Sequence, residues 1–273
     1  MNPHRFDDAL RLQAVAEHRW RGTPSAAYWN MVGPFGGSTA ATLLQAALLH
    51  PERQGEPLAL TVNYAGALTA APFEVEARPV RTNRSTQHWT LTQTQPGEEG
   101  QPVVATTATL VTAARRDTWS QSDTPMPAVP APAEAEPFAA SSGVEWLRRY
   151  ELRPVRGPLP RRWDGQGEDS LSQLWMRDAE PRALDFCSLA AMADVFFPRV
   201  WLRRATPVPA GTVSITTYFH AGADELAQTG TGYLLGQARA QEFRNGFFDQ
   251  NAQIWNEAGT VLATSHQIVY FKQ

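Results

Sequence analysis

The chain has 273 residues, of which 42% are hydrophobic and 19% charged, a composition typical of a globular protein with a substantial core. The net charge of -3 gives no reason to expect nucleic acid or an anionic membrane as a partner. The single cysteine excludes an internal disulfide and is typical of a reducing compartment. Because the N-terminus lacks the apolar core of a signal peptide and no apolar run could span a membrane, we expect a cytoplasmic protein.

The first half of the chain reads as one helix followed by long strands. The segment GGSTAATLLQAALLHP places Leu43, Leu44, Ala47 and Leu48 on one side and ends at Pro51, a pattern typical of a helix. Three segments follow whose alternation and β-branched residues predict strands: LALTVNYAGAL, FEVEARPVRTNRSTQHWTLTQT and GQPVVATTATLVTA. The helix can bury its apolar side only against this sheet, which predicts an α+β unit.

A Pro/Ala-rich stretch, TPMPAVPAPAEAEPFAA at residues 124–140, divides the chain into halves of similar size. Its composition favours extended chain over a packed core. We therefore predict an N-terminal domain at 1–120, a linker at 121–142 and a C-terminal domain at 143–273.

The second half repeats the order of the first. The segment LDFCSLAAMADVFFP predicts a helix closed by Pro198, and GTVSITTYFHAGA, GYLLGQARAQEFRNGFFDQNAQIWNEAG and TVLATSHQIVYF predict strands. Three pairings indicate an internal duplication: LTVNYAGA with ITTYFHAGA, VRTNRSTQHWTL with EFRNGFFDQNAQIW, and VVATTATLV with VLATSHQIV. Each half is therefore predicted to be an antiparallel sheet wrapped around one helix.

One carboxylate, Asp194, interrupts the apolar stretch AAMADVFFPRV of the second predicted helix. Helical spacing would put Ala190, Ala191 and Phe197 on the same face, where burial of an unpaired carboxylate is costly. The charge then requires either a structural role, as a cap or as a partner of Arg199, or a catalytic one.

These segments, in this order, resemble the acyl-CoA thioesterase II family, whose members carry two hotdog domains in one chain. The resemblance is carried by GPFGGSTAATLLQAALLHP, LALTVNY and RTNRSTQH in the first half, and by LWMRD, LDFCSLAAMADVFFP, GTVSITTYFH and VLATSHQIV in the second. It implies a double hotdog fold of the α+β class and hydrolysis of acyl-CoA to free fatty acid and coenzyme A. It implies no cofactor and no metal, and further association through sheet edges into a homo-oligomer is a plausible extension.

In that family an Asp, a Thr or Ser, and a Gln of the second hotdog are understood to hold the hydrolytic water. The resemblance gives these roles to Asp194, Thr212 and Gln267, with Thr216 and Thr217 as alternative hydroxyls. A carboxylate in apolar surroundings binds its proton more tightly, which makes it a better general base near neutral pH. The amide and hydroxyl can hold the water without titrating.

The internal repeat predicts one hydrolytic site per chain. Aligning the prolines that close the two helices matches Ala47 to Asp194, and aligning VVATTATLV with VLATSHQIV matches Thr109 to Gln267. The first half then lacks both groups and is predicted to be a scaffold and a wall of the acyl slot.

The thioester carbonyl oxygen also needs hydrogen-bond donors. The segment PFGGSTAA opens the first helix with glycines, and N–H groups at a helix N-terminus have no intrahelical partners. We hypothesise that backbone amides at Gly36, Gly37 and Ser38 bind the substrate, with the turn before the second helix as the alternative. The Ser38 side chain is interpreted as a helix cap, because GGSTA lacks the buried strand that precedes a nucleophile elbow.

Several other reactive residue types receive structural interpretations. Cys187 has no histidine beside it in the sequence, so packing is favoured over nucleophilic catalysis. His220 and His266 are expected to be structural, with His266 on the face opposite Gln267. A basic stretch either meets the phosphates of coenzyme A or faces solvent; its arginines are at positions 148, 149, 153, 156, 161 and 162.

Two alternative functions stay open at this point. One keeps the fold but acts on another thioester, such as an acyl-carrier-protein adduct, or is a dehydratase, which would carry a histidine near the central helix. The other is a non-enzymatic ligand-binding protein whose site has decayed. LDFCSLAAMADVFFP contains no histidine, and only the first half lacks the expected groups, so both alternatives are less favoured.

Overall fold

The computed structural model describes residues 3–140 and 143–272. Its strands form one antiparallel sheet in the order β1-β2-β4-β5-β6-β3-β9-β13-β12-β10-β8-β7, with β11 paired to β12. The strands are β1 Gln13–Ala16, β2 Arg19–Gly22, β3 Glu56–Tyr64, β4 Phe73–Thr82, β5 Thr86–Pro96, β6 Pro102–Ala113, β7 Tyr150–Arg156, β8 Ser172–Asp178, β9 Ala210–Phe219, β10 Leu234–Arg239, β11 Phe243–Arg244, β12 Phe247–Asn256 and β13 Val261–Phe271. The α-helices are α1 Arg5–Ala9, α2 Gly36–Leu48, α3 Phe186–Met192, α4 Arg199–Arg204 and α5 Ala223–Thr229.

Helix α2 is the central helix of the first half, and ten of its thirteen residues are buried. Its N-cap residue is Phe35, whose ring stacks on Trp146 with 4.2 Å between centroids. The prediction that Ser38 caps this helix is wrong. Ser38 lies inside the first turn, and its hydroxyl donates to the Phe35 carbonyl at 2.7 Å, whereas a cap would accept from a backbone N–H.

Helix α3 is the central helix of the second half, and all seven of its residues are buried. It begins at an Asp185 cap, whose carboxylate accepts from the Ser188 N–H at 2.8 Å. The prediction that this helix continues to Pro198 is wrong, because Pro198 is the N-cap residue of α4. Proline is compatible with a helix start, since the N–H that it lacks would have no partner in the first turn.

The two central helices lie side by side and run in opposite directions. At one end, the Cys187 thiol at the start of α3 donates to Gln45 near the end of α2, at 3.4 Å. At the other end, a Cβ on Gly37 would lie only 2.5 Å from the Ala191 carbonyl oxygen, so the backbones are in close contact there. The start of α2 therefore meets the end of α3.

The halves join through strands β3 and β9, where Thr61 lies opposite Thr216 with their hydroxyl oxygens 3.0 Å apart. Each half is an antiparallel sheet wrapped around a buried helix, which confirms the predicted tandem hotdog architecture. In the described part of the chain, no helix combines the length and apolar character needed to cross a membrane.

The Pro/Ala-rich segment is held against the outer face of the second-half sheet. The indole N–H groups of Trp175 and Trp255 donate to the carbonyls of Pro130 and Thr124, at 2.8 and 3.1 Å. The segment is therefore extended, as its composition predicts, but anchored at both points. The domain limits at 120 and 143 stay predictions, and linker residues 141–142 lie outside the described residues.

Candidate functional site

Three side chains of the second half form a continuous hydrogen-bonded chain. Asp194 lies two residues after the end of α3, and its Oδ1 accepts from Gln267 Nε2 on β13 at 3.0 Å. Thr212, near the start of β9, donates from Oγ1 to Gln267 Oε1 at 3.2 Å. The structure thus brings together the three residues that the sequence singled out.

Strand alternation decides which β13 side chain reaches this chain, and a register shift in β9 that pairs Thr212 with Val269 puts the Thr212 hydroxyl on the same face. Gln267 is buried whereas His266 is 53% exposed on its side chain, so the two lie on opposite faces as predicted. The Thr216 hydroxyl hydrogen-bonds that of Thr61 across the strand pair, and the buried Thr217 forms no hydrogen bond with Gln267. Thr212 is therefore the candidate hydroxyl that contacts the amide.

The opposite wall of the site belongs to the first half. The backbone N–H of Gly37 lies close enough to the Asp194 carboxylate to favour its ionised form, and the Tyr64 hydroxyl donates to the Gly36 carbonyl at 2.8 Å. A Cβ on Gly36 would lie 2.7 Å from Asp194 Oδ2. Gly36 therefore allows the start of α2 to approach the carboxylate more closely than any larger residue would.

The amide of Gly37 thus has a partner that the sequence did not indicate. Among the described residues no side chain of α2 caps its first turn, and the Asp194 carboxylate of the other half lies beside that turn. The expectation that the Asp carboxylate caps a neighbouring segment is therefore met in part. Binding of substrate by the amides of Gly36, Gly37 and Ser38 stays a prediction.

The ionisation of Asp194 is set by opposing effects. Burial raises the pKa of its carboxyl to about 7, and hydrogen bonds from Gln267 and the Gly37 N–H act against that rise. The partial positive charge at the start of α2 favours the ionised form in the same way. Asp194 is partly exposed, so near neutral pH it can exchange a proton with a bound water.

The structure does not support an ion pair between Asp194 and Arg199 or a nucleophilic role for Cys187. The Arg199 guanidinium is fully buried and bonds the Phe197 carbonyl and the Ser172 hydroxyl, and no bond to Asp194 is recorded in the described part of the chain. The interpretation of Asp194 as a structural partner of Arg199 is therefore wrong. Burial raises the pKa of the Cys187 thiol, which makes a thiolate nucleophile at this position unfavourable.

The counterpart of Asp194 in the first half is His50. Each is the second residue after its helix, and each donates its N–H to the carbonyl three residues back at 3.1 Å. The proline alignment gives Ala47 instead, because α3 ends farther from its proline than α2 does from Pro51.

The strand register corrects a second match by one residue. Strand β6 pairs with β3 in the first half as β13 pairs with β9 in the second. Leu110 of β6 lies at the position in its pair that Gln267 of β13 occupies in the other, and both residues are buried. Thr109, the predicted counterpart of Gln267, is exposed on the other face. Pro57 corresponds to Thr212 in the same way. The first half therefore lacks all three groups, which agrees with the prediction of one site per chain.

His18, His50 and Glu52 are the one group of three potential metal ligands found among the described residues. The facing nitrogens of His18 and His50 are 2.6 Å apart, and the other His50 nitrogen accepts from the Glu52 N–H at 3.1 Å. Two nitrogens bound to one tetrahedral zinc at about 2.0–2.1 Å would be farther apart than this. The group fits a hydrogen-bonded histidine pair better than a metal site.

The basic stretch is partly neutralised within the second half. Arg148, Arg153 and Arg156 each form an ion pair with a nearby acidic side chain, at 3.5, 2.5 and 3.1 Å. Arg148 and Arg156 are exposed, which agrees with the solvent-facing interpretation. By contrast, Arg153 is mostly buried and donates to the carbonyls of Pro132 and Ala135.

The tandem helices in one continuous sheet, with a polar site at the junction of the halves, define a double hotdog protein. Residues 25–113 match the family model described as the acyl-CoA thioesterase N-terminal domain, and residues 124–271 match that of the C-terminal domain. The chain belongs to the acyl-CoA thioesterase family, and it is a thioester hydrolase.

Three solved structures are similar over nearly the whole chain. A conserved protein of unknown function with a hot dog fold from Alicyclobacillus acidocaldarius is 48% identical, with a TM-score of 0.92 over 100% of this chain and 99% of that one. A putative thioesterase II from Thermobifida fusca is 20% identical, with a TM-score of 0.81 over 98% of both chains. The acyl-CoA thioesterase II TesB2 of Mycobacterium marinum is 18% identical, with a TM-score of 0.76 over 98% of both chains. No curated protein matches the sequence.

Proposed function

We propose that this protein hydrolyses acyl-CoA thioesters to free fatty acid and coenzyme A with a water held by Asp194, Thr212 and Gln267. The observation that carries the proposal is the hydrogen-bonded chain from Thr212 through Gln267 to a partly buried carboxylate. A carboxylate with a pKa of about 7 has enough basicity to accept a proton from water near neutral pH.

The orientation of the Gln267 amide follows from its partners. An ionised carboxylate only accepts hydrogen bonds, so Nε2 faces Asp194 and Oε1 accepts from Thr212. A water beside Asp194 would then donate one hydrogen to the carboxylate and the other to the Thr212 oxygen. Gln267 holds these two acceptors in place, and the lone pairs of the water face outward, toward the carbonyl carbon of a bound thioester.

The proposed reaction proceeds in two steps. Asp194 takes a proton from the water as its oxygen bonds to the carbonyl carbon, and the carbonyl oxygen gains the displaced electron pair. The intermediate then collapses, the C–S bond breaks, and the proton on Asp194 passes to the coenzyme A sulfur. Free amides in the first turn of α2 are the proposed donors to the transient oxyanion.

The dehydratase alternative would need a histidine beside the carboxylate. His50 is the histidine next to a central helix, but it follows the far end of α2, whose first residues contact Asp194. A helix of 13 residues is about 20 Å long at 1.5 Å per residue, which separates the two groups. Water-mediated thioester hydrolysis is therefore the function that this geometry supports best.

The proposal is tested by measuring thiol release from acyl-CoAs of increasing chain length and from matching acyl-carrier-protein thioesters. We expect turnover of at least part of the acyl-CoA series, with a preference for it over the carrier-protein series. Higher kcat/KM on acyl-carrier protein would contradict the substrate class. Hydrolysis of neither series would favour a ligand-binding protein.

The assignment of the hydroxyl leads to a paired prediction. The Thr212→Val substitution removes a hydrogen bond to Gln267 and an acceptor for the water, and we expect kcat to fall about tenfold. Thr216→Val removes a hydroxyl of the same strand that bonds Thr61 instead, and its kcat should stay within about twofold of wild type. Steady-state kinetics on one acyl-CoA compares them, and the reverse order would move the hydroxyl role to Thr216.

We also infer that the protein works in the cytoplasm on intermediates of fatty acid metabolism and that it associates into a homo-oligomer. The buried, unpaired Cys187 thiol is compatible with a reducing compartment. Light scattering on the eluting protein would measure its mass in solution, and a monomer mass would contradict the assembly.

A further inference from the structure

Tyr64 ends strand β3 of the first half and reaches the Asp194 site without a part in the proposed chemistry. Its hydroxyl donates to the Gly36 carbonyl at 2.8 Å. A Cβ built on Gly36 would lie 3.3 Å from the Tyr64 hydroxyl oxygen and 2.7 Å from Asp194 Oδ2. The hydroxyl and the carboxylate therefore flank the same glycine.

The first turn of α2 has few internal constraints. It begins with Gly36 and Gly37, the residue type with the greatest backbone freedom, and among the described residues no side chain caps it. The residue before these glycines, Phe35, is anchored because its ring stacks on Trp146. The Gly36 carbonyl is held by Tyr64, and the N–H of the same peptide unit, that of Gly37, favours the ionised Asp194 carboxylate beside it.

We propose that Tyr64 is a positioning residue for hydrolysis, which holds the Gly36 carbonyl and so keeps the Gly37 N–H directed at the Asp194 carboxylate. The proposal rests on the proposed function. It gives the first half a direct part in setting the properties of the hydrolytic carboxylate, beyond the scaffold that the sequence predicts. It also accounts for a partly buried tyrosine hydroxyl at the junction of the two halves.

The Tyr64→Phe substitution tests this, because it keeps the ring and removes only the hydroxyl. We expect kcat to fall about three- to tenfold, the range for loss of one hydrogen bond, with KM within about twofold. Without the Tyr64 hydroxyl, the Gly37 N–H is held less firmly and stabilises the ionised Asp194 carboxylate less. The Asp194 carboxyl should therefore titrate at a higher pH than in wild type. Carbon-13 NMR of labelled aspartate measures that titration.

The matched control is Tyr218→Phe, which removes a hydroxyl from an exposed tyrosine on the adjacent strand β9 and should change neither readout. Unchanged kcat and an unchanged Asp194 titration in Tyr64→Phe would overturn the proposal. A lower urea midpoint with both readouts unchanged would also overturn it, since the role would be structural only. The NMR titration needs no substrate, so it tests Tyr64 even if the wild type hydrolyses no acyl-CoA, a result that overturns the proposed function separately.

Discussion

Replacement of Asp194 by asparagine is expected to lower kcat/KM for acyl-CoA by about 100- to 10,000-fold, the usual contribution of a general base. Asparagine has the shape of aspartate and can still accept from the Gly37 N–H, so the start of α2 keeps its acceptor. What it cannot do is take a proton from water. Thiol release under saturating and limiting acyl-CoA measures the loss.

This substitution separates the proposed role of Asp194 as a base from its structural place beside the start of α2. The control is Asp117→Asn, at an exposed position outside the helices and strands, and its activity should equal that of wild type. If Asp194→Asn retains more than about a tenth of the wild-type kcat/KM, the carboxylate serves only as a structural acceptor and another group activates the water.

The same substitution is expected to stabilise the protein at alkaline pH. The pKa of Asp194 is raised from 3.8 to about 7 by folding, so the folded state holds a proton that the unfolded state has lost. Stability from this group is full at low pH and decreases as pH rises toward 7. Between pH 5 and 8.5, the folded state holds this extra proton over roughly two pH units. Over those units the free energy of unfolding falls by about 1.4 kcal/mol per pH unit. Because the site is partly exposed, we expect Asp194→Asn to gain about 2 kcal/mol relative to wild type over that interval.

Urea unfolding of the two proteins at pH 5 and 8.5 measures this gain, and groups common to both cancel in the comparison. A free-energy difference that is the same at both pH values would mean that Asp194 titrates normally in the folded protein. Asp117→Asn should show no such pH-dependent gain. A stabilised but inactive Asp194→Asn variant is the combination expected of a carboxylate retained for function at a cost in stability.

The sequence predicted the fold well because both halves carry the same order of hydrophobic periods. The helix over Gly36–Leu48 and the long strands around it follow from spacing alone, and repetition in the second half strengthens each assignment. The alternation along β13 also sufficed to separate Gln267 from His266. Family resemblance was needed to select Asp194, Thr212 and Gln267, whose two contacts join residues 55 and 73 positions apart in the chain.

Helix ends and contacts between the halves were harder to predict from the sequence. Pro198 was interpreted as the end of one helix although it begins the next, since proline is compatible with both boundaries. That shift made Ala47, in place of His50, the apparent counterpart of Asp194. The bond from Gly37 to Asp194 and that from Tyr64 to Gly36 join separate halves, and no local pattern in either half indicates them.

The central claim is that the Asp194 carboxyl, with a pKa of about 7, is the base that activates the water. The most direct test is to titrate that carboxyl by carbon-13 NMR, assigned by its absence in Asp194→Asn, and to measure kcat/KM over the same pH range. We predict that the carboxyl titrates near pH 7 and that kcat/KM rises with the same midpoint as the carboxylate forms. Titration of Asp194 near the ordinary value of 3.8, or a rise in kcat/KM with a different midpoint, would contradict the claim.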